Sequence, residues 1–210
     1  MNSFFEVLIQ NILDSSWLEI VAAFFGLLSV WYAKKANILV YPTGIISVLL
    51  YVYICFFAQL YADMGINAFY FVMSVYGWIM WKLKTGGKKE RPVTFMNKTN
   101  YLISVFIFFG SLAIILFLLK YFNGDDAVYW ATKIPYIDTF TTAIFILGMW
   151  LMALKKVENW VFWIIGDVIS VPLYFYKSLI FTSLQFFVFL ILAVLGYIEW
   201  RKLAKQNQLA

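Results

Sequence analysis

Long apolar segments, each about as long as a membrane-spanning helix, follow one another along most of the chain. A hydrocarbon core of about 30 Å is crossed by roughly 20 residues in helical form. With this length as a guide, the sequence predicts seven helices, at residues 17–33, 38–58, 64–82, 101–119, 138–154, 159–176 and 179–199. Ser16 and Glu19 have the spacing of a capping box at the start of the first helix. Asp63 and Asp138 are expected to open the third and the fifth.

Composition agrees with a chain that lies in a membrane. Hydrophobic residues make up 64% of it and charged residues 13%, against roughly 45–50% and about 25% in soluble domains. Lipid must therefore cover part of the apolar surface, because a soluble fold of this size could not bury it all. The predicted fold class is an all-α membrane protein with seven transmembrane helices.

Catalytic and metal chemistry find little support in the sequence. The absence of histidine excludes histidine proton relays and histidine-based metal sites, and the single cysteine, Cys55, cannot form an internal disulfide. HExxH and GxSxG motifs are also absent, and no two acids lie within two turns of each other inside a predicted span. We therefore expect no cofactor and no metal. A membrane-embedded enzyme and a non-transporting receptor are kept as the alternatives from other functional classes.

Basic residues indicate the orientation. Thirteen of the 16 lysines and arginines follow the first, third, fifth and seventh helices, and only Lys120, Lys133 and Lys177 fall on the other side. The positive-inside rule then places the N-terminus outside and the C-terminus in the cytoplasm. Topology thus explains the net charge of +5, and no nucleic-acid partner is expected. The basic segment 84–98 is predicted to be a solvated cytoplasmic loop.

The two halves of the chain resemble each other. Residues 44–53 read GIISVLLYVY and residues 167–176 read DVISVPLYFY, while residues 77–82 read GWIMWK and residues 196–201 read GYIEWR. Matched residues are 119 to 123 positions apart, which indicates a duplicated three-helix unit with small insertions. An odd number of spans would invert the second copy. The fourth helix is therefore expected to restore its orientation.

This duplication predicts a 3+1+3 arrangement of two parallel three-helix repeats. Residues 1–100 would hold the first repeat and the loop 84–98, residues 101–136 the linker helix and an external loop, and residues 137–210 the second repeat with a cytoplasmic tail. Two equivalent bundles can rock about a site near the bilayer midplane. The architecture therefore favours a transporter of small solutes.

Polar and aromatic residues inside the predicted helices are the candidates for that site, because buried polar groups are costly in a membrane unless they are paired or used. On the sixth helix, steps of 4, 4, 3 and 4 put one set on a single face: Asn159, Trp163, Asp167, Ser170 and Tyr174. Carboxamides can bond hydroxyl groups, and aromatic rings can stack on a flat ring or a cation. Further candidates are Asn37, Tyr41, Gln59, Asn67, Tyr70, Trp160 and Gln185. Tryptophans near helix ends are expected to be interface anchors, namely Trp31, Trp81, Trp150 and Trp200.

Two segments resemble the signature of the PnuC family of vitamin transporters. Residues 59–64 read QLYADM and lead into YGW at 76–78, and residues 158–163 read ENWVFW and lead into DVIS at 167–170. The resemblance extends over roughly residues 17–202. It implies a seven-helix fold like that of the SWEET sugar transporters, a homotrimer, and a place in the bacterial inner membrane.

The resemblance also implies a function. Nicotinamide riboside would be taken up by facilitated diffusion, and a cytoplasmic kinase would trap it by phosphorylation. Thiamine and riboflavin are the alternative substrates within the family. Matched motif to motif, the substrate region would contain Asn159, Trp160, Trp163 and Asp167, to which we add Asn67 and Tyr70 on the third helix.

Overall fold

Helices account for the fold throughout the part of the chain that the computed structural model describes, which is residues 16–59, 61–83, 91–124, 126–177 and 179–209. In chain order the helices found there are α1 (Trp17–Lys34), α2 (Val40–Phe57), α3 (Tyr61–Lys82), α4 (Lys98–Asn123), the short α5 (Ala127–Ala131), α6 (Ile134–Ala153), α7 (Asn159–Tyr176) and α8 (Ile180–Leu209). Each predicted span coincides with one of the long helices. The all-α prediction is confirmed.

The outward-facing surface of the helices is strongly apolar. Within the described residues, α1, α2, α4, α6 and α8 are long and apolar enough to cross a membrane. The helices α3 and α7 have 22 and 18 residues, lengths that also suffice to cross the hydrocarbon core, but they carry the polar stripes of the two halves. On α4, Phe106 and Phe117 are 70% and 69% exposed, as expected of side chains that lipid covers.

Helix ends follow local capping chemistry. Ser16 and Glu19 exchange the two hydrogen bonds of a capping box, so this prediction is confirmed. Helix α6 begins one turn earlier than predicted, with Pro135 in its first turn. Proline suits this position because its fixed φ is helical and its missing N–H is not needed there. Asp138 is therefore not the cap, and its carboxylate pairs with Lys177 at 2.8 Å.

The main contacts between helices form a closed cycle. Helix α1 packs on α2, α2 on α3, α3 on α6, α6 on α7, α7 on α8, and α8 returns to α1. Helix α4 packs on α6 from outside this cycle. The cycle maps onto itself when α1, α2 and α3 are exchanged for α6, α7 and α8, as a two-fold relation between the halves requires.

Equivalent contacts recur in the two halves at a constant spacing of 119 residues. A β-carbon on Gly77 would lie 2.5 Å from the ring of Tyr41, and one on Gly196 would lie 2.6 Å from the ring of Trp160. Both glycines therefore allow a ring to pack directly on the backbone of the last helix in its half. Each member of the second pair follows its counterpart by 119 positions.

The sequence match between the second and the sixth predicted helices is displaced by one turn. Matching residues 44–53 to 167–176 implies a spacing of 123, whereas α2 and α7 begin 119 residues apart. A slip of four residues rotates a helix face by only about 40°, so the pattern of apolar residues hardly separates the two registers. The counterpart of Asp167 is Val48, and the acid thus belongs to the second half alone.

Trp81 and Trp200 are core residues, and the prediction that they are interface anchors is wrong. Both are 0% exposed. The indole N–H of Trp81 donates to the Met152 carbonyl and that of Trp200 to the Ala33 carbonyl, each at 2.9 Å. A position near a helix end does not reveal whether that end faces lipid or the other half of the protein. Trp31, which is 40% exposed, does lie at the surface.

Residues 91–97, which we call the strap, are packed against the protein, so this part of the segment 84–98 is not the solvated loop that was predicted. Residues 84–90 lie outside the described residues. Thr94 exchanges backbone hydrogen bonds with the turn between α6 and α7. The N–H of Met96 donates to the carboxylate of Glu158 at 3.0 Å, and Val93 is 4% exposed. The strap therefore covers one end of the bundle. We call this the lysine-rich end, because it carries Lys34, Lys35, Lys82, Lys155 and Lys156.

Lys156 fastens the strap from the α6–α7 turn. Its ammonium group donates to the hydroxyl of Thr94 at 2.8 Å and to the Phe95 carbonyl at 3.3 Å. Burial and the neighbouring Arg91 lower the pKa of Lys156, while Glu158 acts in the opposite direction. A desolvated cation that is bonded to two oxygen acceptors is a structural contact rather than a free surface charge.

Candidate functional site

The polar stripe predicted on α7 faces the interior of the protein. Asn159, Asp167 and Ser170 are at most 2% exposed, whereas Val168 and Phe175 on the other side are 52% and 56% exposed. A helix divided in this way buries its polar face inside the bundle and leaves its apolar face to lipid. The predicted single face is confirmed.

Helix α3 turns its own stripe toward the same interior. Ser74 is 6% exposed, and Val72 on the opposite face is 61% exposed. The phenol of Tyr70, one turn from Ser74, lies within electrostatic range of Asp167 and Tyr174 on α7. One helix from each half therefore contributes to a single polar region.

Asp167 is a deeply buried acid. It lies halfway along the 18 residues of α7 and is 2% exposed. Within the described residues, no hydrogen bond or ion pair holds its carboxylate. An ionised carboxylate in a low-dielectric interior raises the free energy of the protein unless a counter-charge or donors surround it. A bound cation would remove this cost.

Several polar atoms around the first turns of α7 are also buried and have no hydrogen-bond partner among the described residues. They are Nε1 of Trp160, Nε1 of Trp163, Oδ1 of Asn159, Nε1 of Trp78 on α3 and the hydroxyl of Tyr41 on α2. A buried group left in this state costs about 1–3 kcal/mol. A ligand that carries several hydroxyl groups can satisfy both the donors and the acceptor.

Four nearly parallel rings form an aromatic wall beside this region. Trp163 stacks on Phe145 (5.3 Å between centroids, 27°), Phe145 on Phe186 (6.0 Å, 23°), and Phe186 on Tyr174 (5.0 Å, 11°). The wall joins α6, α7 and α8, and Asp167 lies between its two α7 members along the helix. Among 22 phenylalanines, no pattern in the sequence marks Phe145 and Phe186, so sequence reasoning missed them.

Two predicted site residues lie outside this region, in turns. Asn37 is exposed in the turn between α1 and α2, where its side-chain oxygen accepts the N–H of Leu39 at 2.9 Å. Gln59 is exposed beyond the end of α2 and has a φ of 59°. Asn37 therefore stabilises the turn, and Gln59 lies at the surface. The structure does not bring either residue to Asp167.

The side-chain amides of two other predicted residues form hydrogen bonds with neighbouring groups. The Asn67 amide donates to the Asp63 carbonyl one turn earlier on α3, at 2.9 Å. Gln185 on α8 forms a side-chain hydrogen bond with Tyr51 on α2. Tyr41, Tyr70, Trp160 and Trp163, in contrast, pack in one apolar cluster. The interior group thus contains Asn159 and Asp167 together with these four aromatic residues.

The chemistry of this group would suit a flat cation with hydroxyl groups. It combines one carboxylate, an aromatic wall and unpaired donors. In the part of the chain that the structure describes, no group of three or more histidine, cysteine, aspartate or glutamate side chains could hold a metal ion. Binding here would rest on charge, stacking and hydrogen bonds.

Comparison with known proteins identifies related transporters. The nicotinamide riboside transporter PnuC of Escherichia coli (strain K12) is 28% identical over 212 residues, covering 92% of this chain and 89% of the relative. The riboflavin/roseoflavin transporter RibM of Streptomyces davaonensis is 22% identical, covering 88% and 84%. The crystal structure of the vitamin B3 transporter PnuC superposes with a TM-score of 0.70 at 26% identity, covering 97% of this chain and 90% of that one.

A family model described as nicotinamide mononucleotide transporter matches residues 16–202. The match covers nearly all of the described helices, and the likeness to the solved PnuC structure extends over the same region. The chain therefore belongs to the nicotinamide mononucleotide transporter family, the family of the PnuC proteins, and is a multi-pass membrane transporter and not an enzyme.

Proposed function

We propose that this protein takes up nicotinamide riboside by facilitated diffusion. The observation that carries the proposal is Asp167, an interior carboxylate that is paired with none of the described residues, next to Trp163 and to donors that these residues leave unsatisfied. Nicotinamide riboside has a flat, positively charged ring and a ribose with hydroxyl groups. The ring matches the carboxylate and the aromatic wall, and the ribose matches the donors. The names of the curated relatives agree with this substrate.

A nucleoside fits the charges better than a nucleotide, although the family description names the mononucleotide. Among the described residues, the buried charged side chains are Asp167 and Lys155, and Lys155 lies at the lysine-rich end beyond the turn that begins α7. A phosphate beside Asp167 would therefore meet a like charge without a compensating cation. The riboside carries no phosphate and avoids this repulsion.

The proposed arrangement is seven spans in a 3+1+3 order, SWEET-like, with α1–α3 and α6–α8 as parallel repeats and α4 as the linker. The closed cycle of contacts and the spacing of 119 residues support it. The corresponding divisions are residues 1–100, 101–136 and 137–210. On the positive-inside rule the lysine-rich end faces the cytoplasm, which puts the N-terminus outside the bacterial inner membrane. The homotrimer and the cytoplasmic kinase that traps the product rest on the family resemblance.

Riboflavin is the second candidate, because a riboflavin transporter is among the relatives. Riboflavin is uncharged and would leave Asp167 buried without a counter-charge, so we place it after the riboside. Thiamine ranks between the two as a candidate substrate, because it is a cation and could pair with Asp167. Calorimetric titration of the purified protein with the three vitamins separates them. Binding of riboflavin alone would overturn the assignment, and binding of thiamine alone would keep the charge match but change the substrate.

Replacing Trp163 with Ala is expected to weaken binding of nicotinamide riboside by at least ~1 kcal/mol, about fivefold, because a cation–π or stacking contact is lost. Trp163→Phe keeps a ring and should lose less. The matched control is Trp31→Ala, which removes an exposed tryptophan outside the site. Titration calorimetry measures all three. Equal losses for Trp163→Ala and Trp31→Ala would show that Trp163 does not contact the substrate.

Cysteine labelling is expected to place the two ends of the bundle on opposite sides of the membrane. Thr85 and Asp125, natural positions for such a test, lie outside the described residues. Gln206, exposed near the end of α8, and Val128, 79% exposed on α5, are suitable instead. In a Cys55→Ala background, an impermeant maleimide added to intact cells should label position 128 and spare position 206. Labelling of both positions from outside would contradict the three spans between them, and labelling of position 206 with position 128 spared would contradict the proposed orientation.

A further inference from the structure

A chain of four aromatic rings crosses the bundle at its lysine-rich end. Tyr41 contacts Trp81 edge-on (5.0 Å between centroids, 85°), Trp81 contacts Trp200 (5.8 Å, 53°), and Trp200 contacts Trp160 edge-on (5.6 Å, 90°). Each of the four side chains is at most 2% exposed. The rings come from α2, α3, α8 and α7 in turn, so the chain passes from one half of the protein to the other at its centre.

Each of the two central rings donates a hydrogen bond to the other half of the protein. The indole of Trp81, on the last helix of the first half, donates to the Met152 carbonyl at the end of the first helix of the second half. The indole of Trp200 donates to the Ala33 carbonyl in the opposite direction. Both bonds measure 2.9 Å, and donors and acceptors are each separated by 119 residues. Any motion that separates the halves at this end must break both bonds.

The ring chain lies between the substrate region and the lysine-rich surface. Trp160 is the second residue of α7, and Asp167 follows it by seven residues, or about 10 Å along the helix axis. Outside the rings, Val93 of the strap and Ala204 of α8 belong to the same buried cluster. The four rings therefore lie between Asp167 and this end of the bundle.

We propose that Tyr41, Trp81, Trp200 and Trp160 form the gate at the lysine-rich end of the transport path, and that the two reciprocal indole–carbonyl bonds hold it shut. Opening separates Trp81 from Trp200 and exposes the Met152 and Ala33 carbonyls to water. Trp81 and Trp200 act on access alone, whereas Tyr41 and Trp160 also belong to the interior group that faces the substrate. This proposal rests on the proposed transport function, but the labelling measurement that tests it requires no substrate.

The experiment measures access to the interior from each membrane face. A reporter cysteine replaces Ser74, which is 6% exposed and seven residues before Trp81 on α3, in a Cys55→Ala background. A cationic, impermeant methanethiosulfonate reagent is added to the face of the lysine-rich end, in vesicles of defined orientation. The gate variant is Trp81→Phe with Trp200→Phe, which keeps both rings and removes both N–H donors. Trp31→Phe is the control.

The double variant is expected to be labelled about tenfold faster from this face than its parent, since two buried hydrogen bonds that favour the closed state are lost. Each single variant should give an intermediate rate, and Trp31→Phe the parental rate. Labelling from the opposite face should not accelerate. Nicotinamide riboside should bind the double variant within about threefold of the parent, because the site itself is intact. An unchanged binding constant together with faster labelling separates a gate from a binding residue.

A second variant tests the gate without touching an indole. Gly77→Ala would put a methyl group 2.5 Å from the ring of Tyr41, so the ring must move away from Trp81. Gly77→Ala should also increase the rate of labelling at position 74 from the lysine-rich face. This variant keeps the test available if the double variant does not fold. Parental labelling rates in Gly77→Ala and in the folded tryptophan variants would overturn the gate. Failure to bind nicotinamide riboside, with the labelling result intact, would instead overturn only the substrate.

Discussion

Asp167→Asn is expected to weaken binding of nicotinamide riboside by about 2 kcal/mol, roughly 30-fold, while uptake continues to follow the membrane potential. The substitution keeps the shape of the side chain and removes its charge. The loss is large because Asp167 is 2% exposed and bonded to none of the described residues, which leaves the bound cation as its counter-charge. The control is Asp126→Asn, since the Asp126 side chain caps the short α5 outside the site and asparagine can keep that cap.

The dependence on potential follows from the charge of the substrate. A uniporter that carries one fixed positive charge moves net charge inward, and a potential of 100 mV contributes ~2.3 kcal/mol, about fifty-fold accumulation. As a stationary counter-charge, Asp167 stabilises the bound cation without changing the charge that is moved. Uptake into proteoliposomes under a valinomycin-clamped potassium potential measures this in both proteins. Uptake that ignores the potential and follows an imposed pH gradient would overturn the uniport mechanism, and loss of that pH dependence in Asp167→Asn would assign the proton to Asp167.

Trp200→Ala is expected to destabilise the protein by about 3–5 kcal/mol, the cost of emptying the space of a large buried ring. Trp200 is 0% exposed, contacts Trp81 and Trp160, and donates to the Ala33 carbonyl. The substitution therefore loses packing and leaves a buried acceptor unpaired. Denaturant titration in detergent micelles measures the free energy of unfolding.

The exposed Trp31 provides the comparison for this result. Trp31→Ala removes a ring that is 40% exposed, and a surface substitution of this kind should change stability by less than about 1 kcal/mol. Comparable losses in Trp31→Ala and Trp200→Ala would contradict a core role for Trp200. Trp200→Phe should retain most of the stability of the parent, which is why the phenylalanine variants serve to test the gate.

The difference between the two halves gives the site its polarity. Where α7 has Asn159 and Asp167, the equivalent positions of α2 are Val40 and Val48. The backbone contacts are nearly symmetric, but the charge is confined to one side. A substrate with a cationic ring at one end and a neutral sugar at the other would therefore bind in a single orientation, with the ring toward Asp167.

The helical class and most of the spans could be predicted from the sequence, because a bilayer requires about 20 apolar residues per helix and leaves few other choices. The face of α7 that carries Asn159, Trp163 and Asp167 could also be predicted, since it depends only on the 3.6-residue period of one helix. So was the Ser16–Glu19 capping box, which is a local interaction. All of these follow from neighbours along the chain.

Contacts between distant segments were decided only by the tertiary structure. Trp31 and Trp200 both lie near helix ends in the sequence, yet one is exposed and the other is sealed between the two halves. Phe145 joins the aromatic wall through its packing on Trp163, which no periodicity encodes. The register of the repeats also needed three-dimensional contacts, because a slip of one turn leaves an apolar face nearly unchanged. Lipid accepts almost any apolar side chain, so the identity of the buried ones depends on which helices meet.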